Sequence, residues 1–286
     1  MLDAMQFEFM RHAVAAGLLA AVICGVMGTL VVVNRVVFLS GGIAHAAYGG
    51  IGLSFCLGWP FLPGTIGFAL VAAIVMAAVT LRAKHRSDTI VGVIWAVGMA
   101  VGIVLIDLTP GYQVDLMSYL FGSILTVPGG DLWMMLAVGA GVCFLTAYFY
   151  EELIAMAYDE EFAISRGVPV RRLYFLFICM LAVSIVLIIQ IVGLILVIAL
   201  LTMAPYIAER YTKSLFAMMT CSALLNIIFT LCGLWLAYRF NITSGAAIIL
   251  VAAATFLLES IGRLLPYGTR PDGISQPEME QSRSHP

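Results

Sequence analysis

Long apolar runs separated by short polar breaks fill most of this 286-residue chain. A bilayer core about 30 Å thick needs about 20 apolar residues in each membrane-spanning helix. On that measure the pattern predicts an all-α, polytopic transmembrane helical bundle of about nine spans. They are predicted at residues 12–33, 40–58, 63–81, 89–107, 131–150, 172–189, 191–208, 215–238 and 243–265. Because the run 173–208 is too long for one span, the chain should fold back or bend near residues 190–193.

The basic residues fall on one side of this nine-span arrangement. Cytoplasmic loops of membrane proteins carry an excess of Lys and Arg. When residues 82–86 are placed inside, twelve of the fourteen Lys and Arg residues are inside, and only Arg11 and Arg239 are outside. The charge pattern therefore predicts an outside N-terminus and a cytoplasmic C-terminus.

Composition agrees with a membrane location. The chain is 63% hydrophobic and 10% charged, whereas soluble domains carry about 25% charged residues. Residues 1–265 are expected to form one transmembrane domain, with no cleaved signal peptide and with a coupling loop at about 151–171. The polar tail, residues 266–286, should be disordered in the cytoplasm. The six cysteines lie in apolar runs without a CxxC pair, which predicts free thiols.

One long loop, residues 151–172, carries the signals of a short amphipathic helix. Asp159 is suited to the N-cap, and Gly167 to the helix stop. Exposed Phe162 and Ile164 on so short a helix favour docking to a partner, although a surface helix without a partner would show the same pattern. The predicted docking and capping residues are Asp159, Glu160, Glu161, Phe162, Ala163 and Gly167. Residues 114–122, on the opposite side, predict a second short helix that is interfacial or re-entrant.

Apart from His12 at the first residue of the first span, His45 is the one histidine inside a predicted span. Titratable groups are costly in a bilayer, so such a residue is a candidate for function. A neutral imidazole is a good ligand for zinc and similar transition metals. The alternative is a packing histidine hydrogen-bonded to a neighbouring backbone carbonyl. Gly41 and Gly49 lie on the same helix face, one turn to either side.

Absent motifs restrict the function further. The sequence contains no GxxxxGK[ST] phosphate-binding loop, so the chain should not hydrolyse ATP itself. It also lacks the catalytic constellation of a membrane-bound enzyme. A secondary transporter driven by an ion gradient usually needs ionisable residues at the membrane midplane, and this chain has almost none. A permease powered by a partner subunit is thus favoured over a secondary transporter.

Five motifs in this order resemble the membrane permease subunits of bacterial ABC importers for zinc, manganese and related divalent metals. They occupy residues 39–53, 88–93, 114–122, 159–167 and 192–205, and the likeness extends over residues 17–265. The resemblance implies a type II ABC importer-like permease fold in the bacterial inner membrane. It identifies residues 159–167 as the segment that couples to the ATPase.

The same resemblance implies the partners. They are a second copy of the chain, two copies of an ATP-binding subunit and an extracytoplasmic metal-binding protein, with no nucleic acid and no permanently bound cofactor. It also implies that His45 contacts the transported metal. Members of the family usually have Asp one turn before this histidine, where this chain has Gly41. Because imidazole without carboxylate suits zinc better than manganese, zinc is the expected cargo, and manganese or iron is the alternative.

Overall fold

The computed structural model describes residues 6–82, 86–109, 120, 122, 124 and 127–264, with backbone only at 263 and 264. The secondary structure of these residues is helical, as predicted, with no β-strand among them. The helices are α1 Glu8–Val33, α2 Val37–Leu57, α3 Phe61–Arg82, α4 Ser87–Asp107, α5 Gly129–Tyr148, α6 Tyr150–Tyr158, α7 Glu160–Ser165, α8 Val170–Val192, α9 Leu194–Tyr211, α10 Leu215–Phe240 and α11 Ser244–Leu264.

Nine long helices in the described part of the chain correspond to the nine predicted spans. Eight of them are long and apolar enough to cross a membrane. The helix outside that group is α2, whose five glycines and His45 lower its hydropathy. α2 packs against α3, α4 and α8 and is largely buried. Its low hydropathy is therefore compatible with a position inside the bundle, away from lipid.

The basic loops meet at one end of the bundle, as the alternating spans predict. A cavity of about 640 Å³ at this end is lined by residues from five parts of the chain, among them Arg35, Leu81, Tyr158, Val170 and Glu209. The ends of α1, α3 and α9 and the start of α8 thus lie together. We call this the basic end.

The long apolar run 173–208 is divided at Gly193, which confirms the predicted interruption. Gly193 has φ 86° and ψ 160°, and it separates α8 from α9. Gly122 (φ 65°) packs against the backbone of Val192 and Gly193, so that a side chain there would collide with this break. Apart from Leu120 and Gly122, the predicted helix at 114–122 lies outside the described residues, as does the tail 266–286.

Buried hydrogen bonds join α1, α9 and α10 in the core. Asn226 on α10 is fully buried, and its Nδ2 donates to the carbonyl oxygens of Leu200 at 3.1 Å and Ala21 at 3.5 Å. The Thr29 hydroxyl donates to Ser222 Oγ at 3.3 Å. In a bilayer such bonds contribute about 0.6–2 kcal/mol each. The six cysteines are free, as predicted, although Cys56 and Cys232 are exposed.

Candidate functional site

Glycines bring α2 and α4 into backbone contact around the predicted metal-contacting residue. A Cβ on Gly49 of α2 would lie 2.7 Å from the carbonyl oxygen of Gly98 on α4. A Cβ on Gly98 would lie 3.0 Å from Cα of Ala46. Gly52 and Gly102 approach each other in the same way one turn further along. This small-residue contact, typical of membrane helix pairs, places the side chains of α4 directly against those of α2.

The close approach lays the Trp95 ring of α4 over His45. The two rings are nearly parallel, with centroids 4.1 Å apart and an interplanar angle of 16°. On its α2 side Trp95 also contacts Phe38, with centroids 5.9 Å apart. Nδ1 of His45 is buried and has no hydrogen-bond partner among the described residues. Stacking, and not a hydrogen bond from Nδ1, therefore orients the imidazole.

Gly41 differs from the other glycines of α2. No heavy atom lies within 4 Å of the point where its Cβ would project. By contrast, a Cβ on the adjacent Gly42 would lie 2.6 Å from Cγ1 of Val91. Packing within one chain thus does not require glycine at position 41. A Cβ one turn before His45 would therefore meet no neighbouring atom of the chain.

The described part of the chain contains no group of three or more His, Cys, Asp and Glu side chains that could hold a metal ion. Transition metals in closed protein sites usually have four or more ligands. One copy of the chain offers His45 as a single imidazole at this place. A single imidazole supplies one ligand, so the described residues do not form a closed metal site here.

The predicted coupling helix is present as α7, with the predicted cap and stop. Asp159 Oδ1 accepts a hydrogen bond from the backbone N–H of Phe162 at 2.8 Å. Gly167 has φ 79°, and its N–H donates to Ile164 O at 2.9 Å. The next N–H, of Val168, donates to Ala163 O at 3.1 Å. Both ends of this six-residue helix are therefore fixed by local bonds.

The docking residues predicted on α7 divide between two faces. The side chain of Ala163 is fully buried in the main hydrophobic core, so it packs on the bundle and does not lie on the exposed face of α7. Its role is to anchor α7 to the bundle. Phe162 and Ile164 are 51% and 58% exposed, and the Arg166 guanidinium lies 5.4 Å from the Phe162 ring centroid. Glu160 and Glu161 lie in the exposed first turn.

The loop predicted at 151–172 also contains a helix that the sequence analysis missed. The fifth span ends at Tyr148, and the chain continues as α6 with Leu153 and Met156 buried. The Tyr150 hydroxyl accepts a hydrogen bond from Phe216 N at 3.0 Å, which joins α6 to the start of α10. The apolar spacing of Leu153 and Met156 was a helical signal, but Glu151 and Glu152 made the segment look like a solvated loop.

The chain is similar in sequence to a known protein family and to several of its members. Residues 6–263 match the family described as the ABC 3 transport family. An uncharacterized membrane protein of Synechocystis sp. is 46% identical over 258 residues, which cover 90% of this chain and 92% of that protein. The manganese import system permease protein ScaB of Streptococcus parasanguinis is 32% identical over 253 residues, with 88% and 90% covered.

A solved structure has a similar fold. The structure of PsaBC from Streptococcus pneumoniae in complex with Fab is similar to this chain with a TM-score of 0.81 and 32% sequence identity. The match covers 90% of this chain and 93% of the compared chain. The similarity therefore extends over most of the helical bundle.

Proposed function

The chain belongs to the ABC 3 transport family and is the permease of a metal ABC transporter, and we propose that it imports zinc. In this proposal two copies of the chain form the pathway. Two copies of an ATP-binding subunit supply the energy, and an extracytoplasmic metal-binding protein delivers the ion. The basic end of the bundle faces the cytoplasm, because Lys and Arg are retained on that side.

His45 would receive the ion inside the membrane. Its imidazole is held by Trp95, and it has no carboxylate beside it, since position 41 is glycine. Nitrogen ligands suit zinc, whereas manganese prefers carboxylate, carbonyl and water oxygens. The open space at Gly41 is the observation that carries the proposal, because packing within one chain does not require glycine there.

Manganese is the second candidate cargo. It is favoured by the names of several relatives, such as the manganese import permease of Streptococcus parasanguinis and the manganese transport system membrane protein MntC of Halalkalibacterium halodurans, which is 29% identical over 254 residues. Water and backbone carbonyls could supply oxygen ligands in place of the carboxylate. The choice between the two metals therefore depends on measured transport.

Helix α7 would transmit the motion of the ATPase. Asp159 and Gly167 fix its ends, Ala163 anchors it to the bundle, and Phe162 and Ile164 offer an apolar contact to the partner. A rigid, anchored helix transmits a displacement of the partner to the neighbouring spans. A flexible loop would deform instead and transmit less of that displacement. The exposed pair thus binds, and the buried alanine transfers the motion.

The experiment is ATP-dependent uptake into proteoliposomes that contain the permease and its ATP-binding subunit. We expect zinc uptake that requires ATP and exceeds manganese uptake at equal free-ion concentration. Manganese uptake equal to or above that of zinc would favour the second candidate. ATP-independent uptake, or uptake driven by an ion gradient alone, would contradict the ABC import mechanism.

A further inference from the structure

A second cavity at the basic end lies where α3 ends and α8 begins. Its volume is about 730 Å³, and Arg82, Arg171 and Arg172 line it. All three side chains are exposed, and none makes a salt bridge or hydrogen bond with a described residue. Glu160 is the one acidic residue among the described residues that line it. The cavity therefore concentrates positive charge that the described protein balances only in part.

The position of two of these arginines is electrostatically unfavourable without a ligand. Arg171 and Arg172 are the second and third residues of α8, whose first turn contains no acidic residue. The N-terminal turn of a helix carries partial positive charge and disfavours cations. Arg82 adds a third charge from the end of α3. An anion in the cavity would offset this accumulation, because arginine binds phosphate groups well.

The cavity continues into an apolar surface along α3. Val71, Ile74 and Val75 are exposed on this helix. Their face leads, one turn further on, to Ala78 and Leu81 in the cavity wall. The polar head of a bound molecule would thus meet the arginines, and an attached hydrocarbon chain would lie on α3. A free anion would leave this apolar path unused.

We propose that the cavity binds an anionic phospholipid from the adjoining membrane leaflet. Its phosphate contacts Arg82, Arg171 and Arg172, and one acyl chain follows the exposed face of α3. Basic pockets between membrane helices bind lipid headgroups in this way. The cavity wall also includes Glu160 and Ile164 of α7, so a bound lipid lies beside the coupling helix, whereas Phe162 is outside the wall and remains available to the ATP-binding subunit. The site does not depend on the identity of the transported metal.

The test measures lipid retention and thermal stability of the full-length, purified permease. Native mass spectrometry and melting curves are compared for added phosphatidylglycerol, phosphatidylcholine and inorganic phosphate. We expect phosphatidylglycerol to remain bound and to raise the melting temperature more than the other two. The double variant Arg171→Gln/Arg172→Gln should weaken phosphatidylglycerol binding at least tenfold. The matched control, Arg11→Gln/Arg239→Gln, removes two arginines assigned to the opposite end and should leave binding unchanged.

The single variant Arg82→Gln tests the same cavity if the double variant fails to fold, because it leaves α8 intact. It should reduce phosphatidylglycerol retention while the permease still melts cooperatively. Equal retention of phosphatidylglycerol and phosphatidylcholine would overturn the proposal. Full stabilisation by inorganic phosphate would do the same. The proposal also fails if the arginine variants keep the lipid but lose the ATP-binding subunit, since the cavity would then be a protein interface.

Discussion

The helix pair α2–α4 and the loop that carries α7 differ in what holds their functional side chains. In the helix pair, backbones in contact at Gly49 and Gly98 fix the distance between the helices, and a ring stack then orients His45. In the loop, one cap, one glycine stop and one buried alanine hold a helix of six residues. Added volume should therefore damage the first region, and the loss of local bonds or of backbone freedom should damage the second.

The largest effect on stability should come from a methyl group added between α2 and α4. Gly49→Ala places a Cβ 2.7 Å from Gly98 O and 2.8 Å from Phe68 Cζ, so the helices must separate. Such overpacking costs about 1–3 kcal/mol. The matched control is Gly41→Ala on the same helix, where no atom lies within 4 Å. Thermal unfolding in detergent should show a lower melting temperature for Gly49→Ala and an unchanged one for Gly41→Ala. Equal melting temperatures would contradict the account of the contact.

A somewhat smaller effect is expected at the end of α7. Gly167 has φ 79°, and a β-branched residue in this region costs about 1–2 kcal/mol of backbone strain. Gly167→Val should therefore loosen the helix stop. Metal uptake should then no longer follow ATP hydrolysis, so that less metal is transported per ATP hydrolysed. The amount of inserted permease should stay the same. Gly141→Val on α5, where space is open, is the control. Normal uptake by Gly167→Val would show that docking does not depend on this stop.

The smallest effect should follow from loss of the Trp95 ring. Aromatic stacking contributes about 0.5–1.5 kcal/mol beyond area burial, which corresponds to about two- to tenfold in affinity or rate. Trp95→Leu should lower the metal-uptake rate by such a factor, and Trp95→Phe should restore most of it because an aromatic face is kept. Initial uptake rates, normalised to folded permease, measure both. Identical rates for Leu and Phe would mean that Trp95 only fills space.

Local sequence signals predicted the helical parts of this structure well. The spans, the break at Gly193, the Asp159 cap and the Gly167 stop all depend on residues within a few positions of one another. The stack of His45 on Trp95 and the inward direction of Ala163 depend on contacts between separate helices. No periodicity encodes those contacts. α6 was not predicted because the charged residues Glu151 and Glu152 favoured a solvent-exposed loop, although Leu153 and Met156 form the buried face of a short helix.

The central claim is that His45 contacts the transported metal and that Gly41 sets the preference for zinc. It is tested most directly by initial uptake rates of zinc and manganese for wild type, His45→Ala and Gly41→Asp, each assembled with the ATP-binding subunit and normalised to folded permease. We expect His45→Ala to lose at least about tenfold in uptake while assembly persists, because mutating even a residue that only supports a metal ligand typically costs about 10–100-fold in metal affinity or activity. Gly41→Asp should shift the ratio toward manganese, because it adds an oxygen ligand one turn away. Unchanged rates and selectivity in both variants would contradict the claim.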